Sequence, residues 1–99
     1  MPTYVMLSTL GPDGSARLRD DPQRLKAVNQ ELEDMGVTVV EQFALLGQYD
    51  FLNIIEAPDE ITMMRVATAL GARGTLKTLT LTAIDVDTYI EAMGEGVGR

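Results

Sequence analysis

The feature that most constrains this chain is that its two halves share one layout. Each half holds a short apolar strand, a helix that begins near an aspartate and a proline, a glycine that ends the helix, and a second strand. The helix starts are Asp21-Pro22 and Pro58-Asp59, and the stops are Gly36 and Gly71. Aspartate favours helix N-termini, and glycine favours the position after a helix. The order β-α-β-β-α-β predicts an α+β, ferredoxin-like fold.

The topology follows from the handedness of the crossovers. Strands are predicted over residues 4–9, 37–45, 49–56 and 75–84, with a loop over 11–21. Right-handed crossovers place the first and third strands in the middle of a four-stranded antiparallel sheet, with two helices on one face. The 99 residues suit one domain. We therefore expect a single domain over residues 1–93, including one helical turn over 87–93, and a flexible C-terminal tail over 94–99.

Alternation along the strands predicts which side chains face the helices. In the last strand the leucines at 79 and 81 alternate with threonines, so the leucines are expected under the helices. The same reasoning puts Val5, Leu7, Leu52 and Ile54 there. The side chains expected on the uncovered face are those of Tyr4, Met6, Ser8, Tyr49, Phe51, Asn53, Ile55, Thr78, Thr80 and Thr82. Because several of these are large and apolar, a second copy is expected to cover them, which predicts a homodimer or a higher oligomer.

Composition excludes several kinds of chemistry. The chain has no histidine and no cysteine, so the commonest metal ligands are absent. Catalysis would depend on carboxylates, tyrosine, lysine, hydroxyls or a bound cofactor. We expect no metal site and no cofactor. The formal net charge of -7 disfavours nucleic acid. No apolar run approaches the roughly 18 residues of a membrane span, so we expect no membrane association and a cytoplasmic location.

Several segments together resemble the GYD-domain family, which is named for a Gly-x-Tyr-Asp signature. The matching segments are YV at 4–5, DPQR at 21–24, GQYD at 47–50, IIEAPD at 54–59, ALGARG at 69–74 and TLTLTA at 78–83. The resemblance spans nearly the whole chain. It implies a member of the dimeric α/β barrel superfamily, in which two such sheets pair into a barrel. That family has no firmly established activity, so the resemblance implies a fold more than a function.

Strand directions bring three segments to one end of the sheet, namely residues 11–21, 47–50 and 71–75. Asp50 is therefore expected to form a structural ion pair with Arg17 or Arg73. Glycines 71 and 74 follow a helix and do not precede one, so a phosphate loop is rejected there. Asp85 and Asp87 are interpreted as helix caps and not as calcium ligands.

The polar groups expected inside a dimeric barrel are the ligand-binding candidates, namely Tyr4, Tyr49, Asn53 and Thr80. Asn53 is the most informative, because a mid-strand amide on an apolar face needs a hydrogen-bond partner. The chain is predicted to be a small homodimeric binding or regulatory module with a possible small-molecule pocket. A small cofactor-independent enzyme, such as a mono-oxygenase or isomerase, is the alternative. A third possibility is a structural domain that binds a partner along a sheet edge.

Overall fold

The computed structural model describes the backbone of residues 1–96 and the side chains of residues 1–94. Its elements are β1 (Thr3–Leu10), α1 (Pro12–Asp20), α2 (Arg24–Asp34), β2 (Thr38–Ala44), β3 (Phe51–Glu56), α3 (Glu60–Ala72), β4 (Leu76–Ala83) and α4 (Val86–Gly96). The strands form one sheet in the order β2-β3-β1-β4, and every neighbouring pair is antiparallel. The predicted ferredoxin-like fold is confirmed, with β1 and β3 in the centre.

Helix α1 occupies the segment that the sequence predicted to be a loop. Pro12 stands at its start, Asp13 lies in its first turn, and Arg17 and Arg19 lie in its last turn. Each of these is a favourable helix-end residue, because the N-terminus of a helix is electropositive and the C-terminus electronegative. The loop prediction over residues 11–21 was therefore wrong, although the helix-end residues were visible in the sequence.

The two predicted helices are present, but only the second begins with a side-chain cap. Helix α2 begins at Arg24, after a turn through Pro22, and Asp21 does not cap it. Helix α3 begins as predicted, because the Asp59 carboxylate accepts a hydrogen bond from the Thr62 backbone N–H at 2.7 Å. A side-chain cap of this kind satisfies one of the unpaired N–H groups of the first turn.

The helical period predicts an apolar stripe of Ile61, Met64, Ala67 and Leu70 on α3, of which Leu70 is buried and Ala67 packs against the core. Ile61 and Met64, which were expected in the core, are 58% and 62% exposed. The buried side chains of α3 are those of Met63, Val66 and Leu70. Both stripes are apolar and lie next to each other on the helix surface, so the helical period alone did not choose between them.

Helix α4 is longer than the single turn that the sequence predicted. The Asp85 carboxylate caps it by accepting a hydrogen bond from the Thr88 N–H at 3.1 Å. Residues 94–96 belong to this helix and not to a tail, while residues 97–99 lie outside the described residues. Val86, Tyr89 and Ile90 are each more than half exposed. None of the described helices is long and apolar enough to cross a membrane.

The two faces of the sheet are exchanged relative to the prediction. Tyr4, Met6 and Ile55 are the buried residues that pack under the helices, whereas Leu79 and Leu81 are 44% and 48% exposed. Strand register extends this assignment across the sheet, because directly paired residues lie on the same face. Met6 pairs with Asn53 and Thr80, Ser8 with Phe51 and Thr78, Val5 with Ile54 and Leu81, and Leu7 with Leu52 and Leu79.

The prediction of which face lies under the helices failed because both sets of alternating positions in the central strands are apolar. Alternation gives two faces but does not say which one the helices cover. In β4 the threonines lie on the helix side and the leucines point away, which is the reverse of the usual preference. We call the uncovered side the open face; its large apolar side chains are those of Val5, Leu7, Phe43, Leu52, Ile54, Leu79 and Leu81. This face is more apolar than the predicted one.

Candidate functional site

Asp50 joins the turn at residues 47–50 to the end of β1. Its backbone N–H donates to the Ser8 carbonyl at 2.8 Å, and its own carbonyl accepts from the Leu45 N–H at 2.8 Å. The Leu10 N–H donates to the Asp50 carboxylate at 2.7 Å. Gly47 has a φ of 132°, which only glycine adopts readily. The aspartate of the Gly-x-Tyr-Asp signature is thus a structural residue.

The predicted ion pair between Asp50 and Arg17 or Arg73 is not formed. Arg73 follows the end of α3 and pairs instead with the Glu31 carboxylate of α2. The two helices lie side by side on the same face of the sheet, which brings these side chains together. Among the described side chains, Asp50 takes part in no ion pair, because its carboxylate faces the backbone of β1.

The three segments expected at one end of the sheet do meet there. The Gly11 N–H donates to the Thr75 carbonyl at 2.9 Å, which joins the start of α1 to the start of β4. The Asp50 N–H joins the turn to β1 at the same end. Gly14 makes this approach possible, because a Cβ at that position would lie 2.5 Å from the Thr75 carbonyl oxygen.

A cavity of about 380 Å³ lies at this end, between the sheet and helices α1, α2 and α3. That volume is within the range of small-molecule sites. Its apolar lining includes Met6, Leu18, Leu25, Val28, Leu32, Phe51 and Leu70. Its polar lining consists mainly of Ser8, Arg17, Arg24, Asn29, Glu31, Gln42, Asn53, Arg73 and Thr78. The site is therefore an apolar cleft with a limited set of polar groups.

Asn53 is the polar group at the bottom of the cavity. It is 8% exposed, and its side-chain carbonyl oxygen has no hydrogen-bond partner in the described part of the chain. A buried carbonyl oxygen without a donor is destabilising, and native proteins rarely leave one so. The sequence also predicted a buried amide at Asn53 that needs a partner, but placed it on the opposite face of the sheet.

Asn29 and Gln42 form a second polar element of the cavity wall. Their amides exchange two hydrogen bonds, with Asn29 donating at 2.9 Å and Gln42 donating at 3.2 Å. This pairing ties α2 to β2 through one N–H and one carbonyl oxygen of each amide. Gln42 also lies directly across from Asn53 in the sheet. In the described part of the chain neither amide donates to the Asn53 side-chain carbonyl oxygen, which stays without a partner.

Tyr4 and Thr80 lie on the helix side, away from the main cavity. They line a second depression together with Met63 and Ala67. Their hydroxyl oxygens are buried and have no partner in the described part of the chain. Burial raises the pKa of the Tyr4 phenol, and the charges of Glu60 and Asp59 raise it further. Tyr4 is therefore a protonated hydrogen-bond donor near neutral pH.

The structure divides the four predicted ligand-binding residues. Only Asn53 lines the main cavity, Tyr4 and Thr80 line the second depression, and Tyr49 lies half-buried in the turn outside both. The expected location inside a barrel formed by the open faces is wrong for Tyr4, Asn53 and Thr80, because the exchanged faces place them under the helices.

Sequence reasoning missed the cavity residues of the two N-terminal helices and of β2. Arg24, Asn29 and Gln42 were not candidates, and Arg17 was assigned to an ion pair. Asn29 lies four residues after Leu25 and three before Leu32, so it shares the apolar face of α2 that packs toward the sheet. That position was the available signal. Arg17 required recognition of α1, for which the proline and aspartate at its start were the signal.

The fold and the cleft define an α+β, ferredoxin-like domain with a candidate small-molecule site between its sheet and its helices. The GYD domain family model matches residues 4–93. The chain therefore belongs to the GYD-domain family, as the resemblance of its several segments predicted.

One curated relative is similar in sequence, and two solved structures are similar in fold. A protein of Thermus thermophilus named "Glutamine synthetase and cystathionine beta-lyase binding protein" is 54% identical over 87 residues, which cover 87% of this chain and 92% of that protein. Two crystal structures share the fold. FFRP-DM1 has a TM-score of 0.60 at 20% identity and covers 85% of this chain and 100% of its own. TTHA0845, also of Thermus thermophilus, has a TM-score of 0.56 at 22% identity, covering 87% and 96%.

Proposed function

We propose that this protein is a non-catalytic regulatory module that holds a small molecule in the cavity and binds partner enzymes. The observation that carries the proposal is the unpaired Asn53 carbonyl oxygen at the bottom of an apolar cavity. A ligand donor at that point would remove the cost of a buried, unsatisfied acceptor. The predicted alternative, a cofactor-independent enzyme, stays a prediction.

Native mass spectrometry of freshly purified protein tests the ligand. We expect a retained small molecule in the parent protein and its loss in Asn53→Leu, which removes the buried amide and fills part of the cavity. Thr82→Leu is the matched control, because it adds a leucine to the sheet at an exposed position outside the cavity. Equal retention in Asn53→Leu and the parent would rule out this cavity as the site.

The proposal includes partner enzymes because of the Thermus relative. That relative is named for binding glutamine synthetase and cystathionine β-lyase, and it is 54% identical to this chain. We propose that the same two enzymes are the partners here. Size-exclusion chromatography of the purified protein mixed with each enzyme from the same organism tests this directly. Separate elution of all components at micromolar concentration would contradict this part of the proposal.

We also propose that the open face is the homodimer interface. Phe43, Leu79 and Leu81 on this face are 49%, 44% and 48% exposed. Exposed apolar patches of this kind commonly mark contact surfaces. Two open faces packed together would form the sheet-on-sheet barrel that the family resemblance implies.

Analytical ultracentrifugation of two neighbouring variants tests the dimer. Leu81→Lys puts a charge on the open face, whereas Thr82→Lys puts it at an exposed position on the other face. We expect the parent and Thr82→Lys to sediment at twice the chain mass of 10.8 kDa, and Leu81→Lys to sediment as a monomer. A monomeric parent protein would contradict the dimer.

A further inference from the structure

Three of the eight basic residues of this acidic chain line the cavity. The chain carries 15 acidic and 8 basic residues, yet Arg17, Arg24 and Arg73 all line the cavity. Glu31 is the one acidic residue in the cavity lining, and it pairs with Arg73. Within the described residues, Arg17 and Arg24 form no ion pair. The cavity therefore carries a local positive charge that the chain as a whole does not.

The polar groups are separated by depth. Arg17, Arg24 and Arg73 are exposed and so lie at the rim, whereas Asn53 and Ser8 are buried at the bottom. Apolar side chains, including Leu25, Val28 and Phe51, occupy the wall. A ligand that matches this arrangement has an anionic end near the rim, an apolar body, and a hydrogen-bond donor at its inner end.

We propose that the cavity binds a small organic monocarboxylate whose far end carries a hydroxyl or amide donor. One guanidinium binds a carboxylate through two parallel hydrogen bonds, so Arg17 or Arg24 is sufficient without breaking the Arg73–Glu31 pair. The inner donor bonds to the Asn53 side-chain carbonyl. This inference rests on the proposed function, because it names the chemical class of the molecule held in that cavity.

A dianionic phosphate ester fits the cavity less well. It would bring two negative charges close to the Glu31 carboxylate, whereas a monocarboxylate brings only one. Inorganic phosphate is therefore a useful negative probe. If phosphate shifts the NMR resonances of the cavity residues as much as a carboxylate does, the proposed carboxylate ligand is contradicted.

An NMR titration with a matched set of probes tests the ligand class. The first probe, 6-hydroxyhexanoate, carries both the carboxylate and the hydroxyl donor. Hexanoate lacks the hydroxyl donor, and hexane-1,6-diol lacks the carboxylate. We expect 6-hydroxyhexanoate to bind best, the loss of the carboxylate to weaken binding about tenfold or more, and the loss of the hydroxyl to weaken it about fivefold. Equal binding of the diol and the hydroxy acid contradicts the inference.

Variants assign each end of the probe to a residue. A double Arg17→Gln, Arg24→Gln variant should lose the preference for 6-hydroxyhexanoate over the diol. Arg19→Gln is the control, because Arg19 pairs with Asp20 and does not line the cavity. Asn53→Leu should lose the preference for 6-hydroxyhexanoate over hexanoate. If a variant keeps the preference that it is expected to lose, the assignment of the carboxylate to the arginines or of the hydroxyl to Asn53 is contradicted.

The outcomes separate this inference from the function on which it rests. If native mass spectrometry finds a ligand that Asn53→Leu loses, and that ligand is a phosphate ester, a cation or a neutral molecule, the ligand class is wrong while the proposed function stands. If no ligand is retained and no probe shifts a cavity resonance, both are wrong. A retained monocarboxylate supports both.

Discussion

The Leu10 backbone N–H donates to the Asp50 carboxylate at 2.7 Å, which joins the family's signature turn to the end of the central strand β1. The two residues are 40 positions apart in the chain. Together with the Ser8–Asp50 backbone bond, this contact holds the β2–β3 turn against the strand that leads into α1. The turn thereby sets the position of the end of the cavity.

Replacing Asp50 by leucine should destabilise the domain. The change leaves the half-buried Leu10 N–H without its acceptor, and a bond to a charged group contributes about 1.5–3 kcal/mol. Urea denaturation measures the free energy of unfolding. Asp20→Leu is the control, because Asp20 lies in an exposed pair with Arg19, and such pairs contribute about 0–1 kcal/mol. Similar losses in both variants would refute a special role for Asp50.

Gly14→Ala should destabilise the domain by about 1–3 kcal/mol, because the new methyl group would meet the Thr75 carbonyl oxygen at 2.5 Å. Gly71→Ala is the matched control in helix α3, where a Cβ would meet nothing within 4 Å. It should leave stability unchanged or raise it by about 0.5–1 kcal/mol through helix propensity. The two variants are compared by urea denaturation, and equal stability of both would contradict the close approach of α1 to β4.

Tyr4→Phe should leave the thermal midpoint unchanged or raise it. The Tyr4 hydroxyl is buried without a partner in the described part of the chain, so its removal relieves an unsatisfied polar group while the ring still fills the core. Tyr89→Phe is the control, because Tyr89 is 57% exposed. Differential scanning calorimetry measures both. A clear fall in the midpoint for Tyr4→Phe alone would show that the hydroxyl has a partner in the functional protein.

Stability should fall in acid partly through two helix caps. Hydrogen bonds from Thr62 lower the pKa of Asp59, and hydrogen bonds from Thr88 lower the pKa of Asp85, both from an ordinary value of 3.8. A carboxylate whose pKa is lower in the folded state contributes stability that is fully present above its unfolded pKa and is lost as the pH falls through its folded pKa. The contribution of these caps is therefore present near neutral pH and declines below about pH 4.

Thermal midpoints from about pH 7 to about pH 2.5 check this prediction. Asp59→Asn keeps a capping oxygen but cannot be protonated in this range, so its midpoint should fall less steeply below about pH 4 than that of the parent. Glu33→Gln is the control, because it removes an exposed charge on α2 without touching a cap. An acid profile of Asp59→Asn that matches the parent would contradict the role of the cap.

Much of the fold was predictable because it depends on local chemistry. The Asp59 cap, the positive φ of Gly36 and Gly47, and the strand order all follow from residue preferences and crossover handedness. Helix α1 was predictable in the same way and was missed because Gly11-Pro12-Asp13-Gly14 was interpreted as the start of a loop. The family assignment also depended on sequence alone, and the match over residues 4–93 confirms it.

The candidate site was predictable only in part. Asn53 was identified because a mid-strand amide among apolar residues needs a partner. Its neighbours in the cavity were not, because Arg17, Arg24 and Gln42 come from separate elements that only the packed helices bring together. Tyr49 and Asp50, which give the family its signature, were expected near a ligand or an arginine, yet Asp50 bonds to backbone and Tyr49 lies outside the cavity.

By itself the sequence determined the order of the strands, the end of the sheet at which the glycine-rich segments meet, and the absence of histidine and cysteine from any site. Only the tertiary structure decided which face of the sheet the helices cover. A strand with large apolar residues on both parities has two faces of similar hydrophobicity, and alternation cannot rank them. Helices α1, α2 and α3 cover the face of Met6 and Asn53, which puts the cavity under the helices and leaves the leucines of β4 exposed.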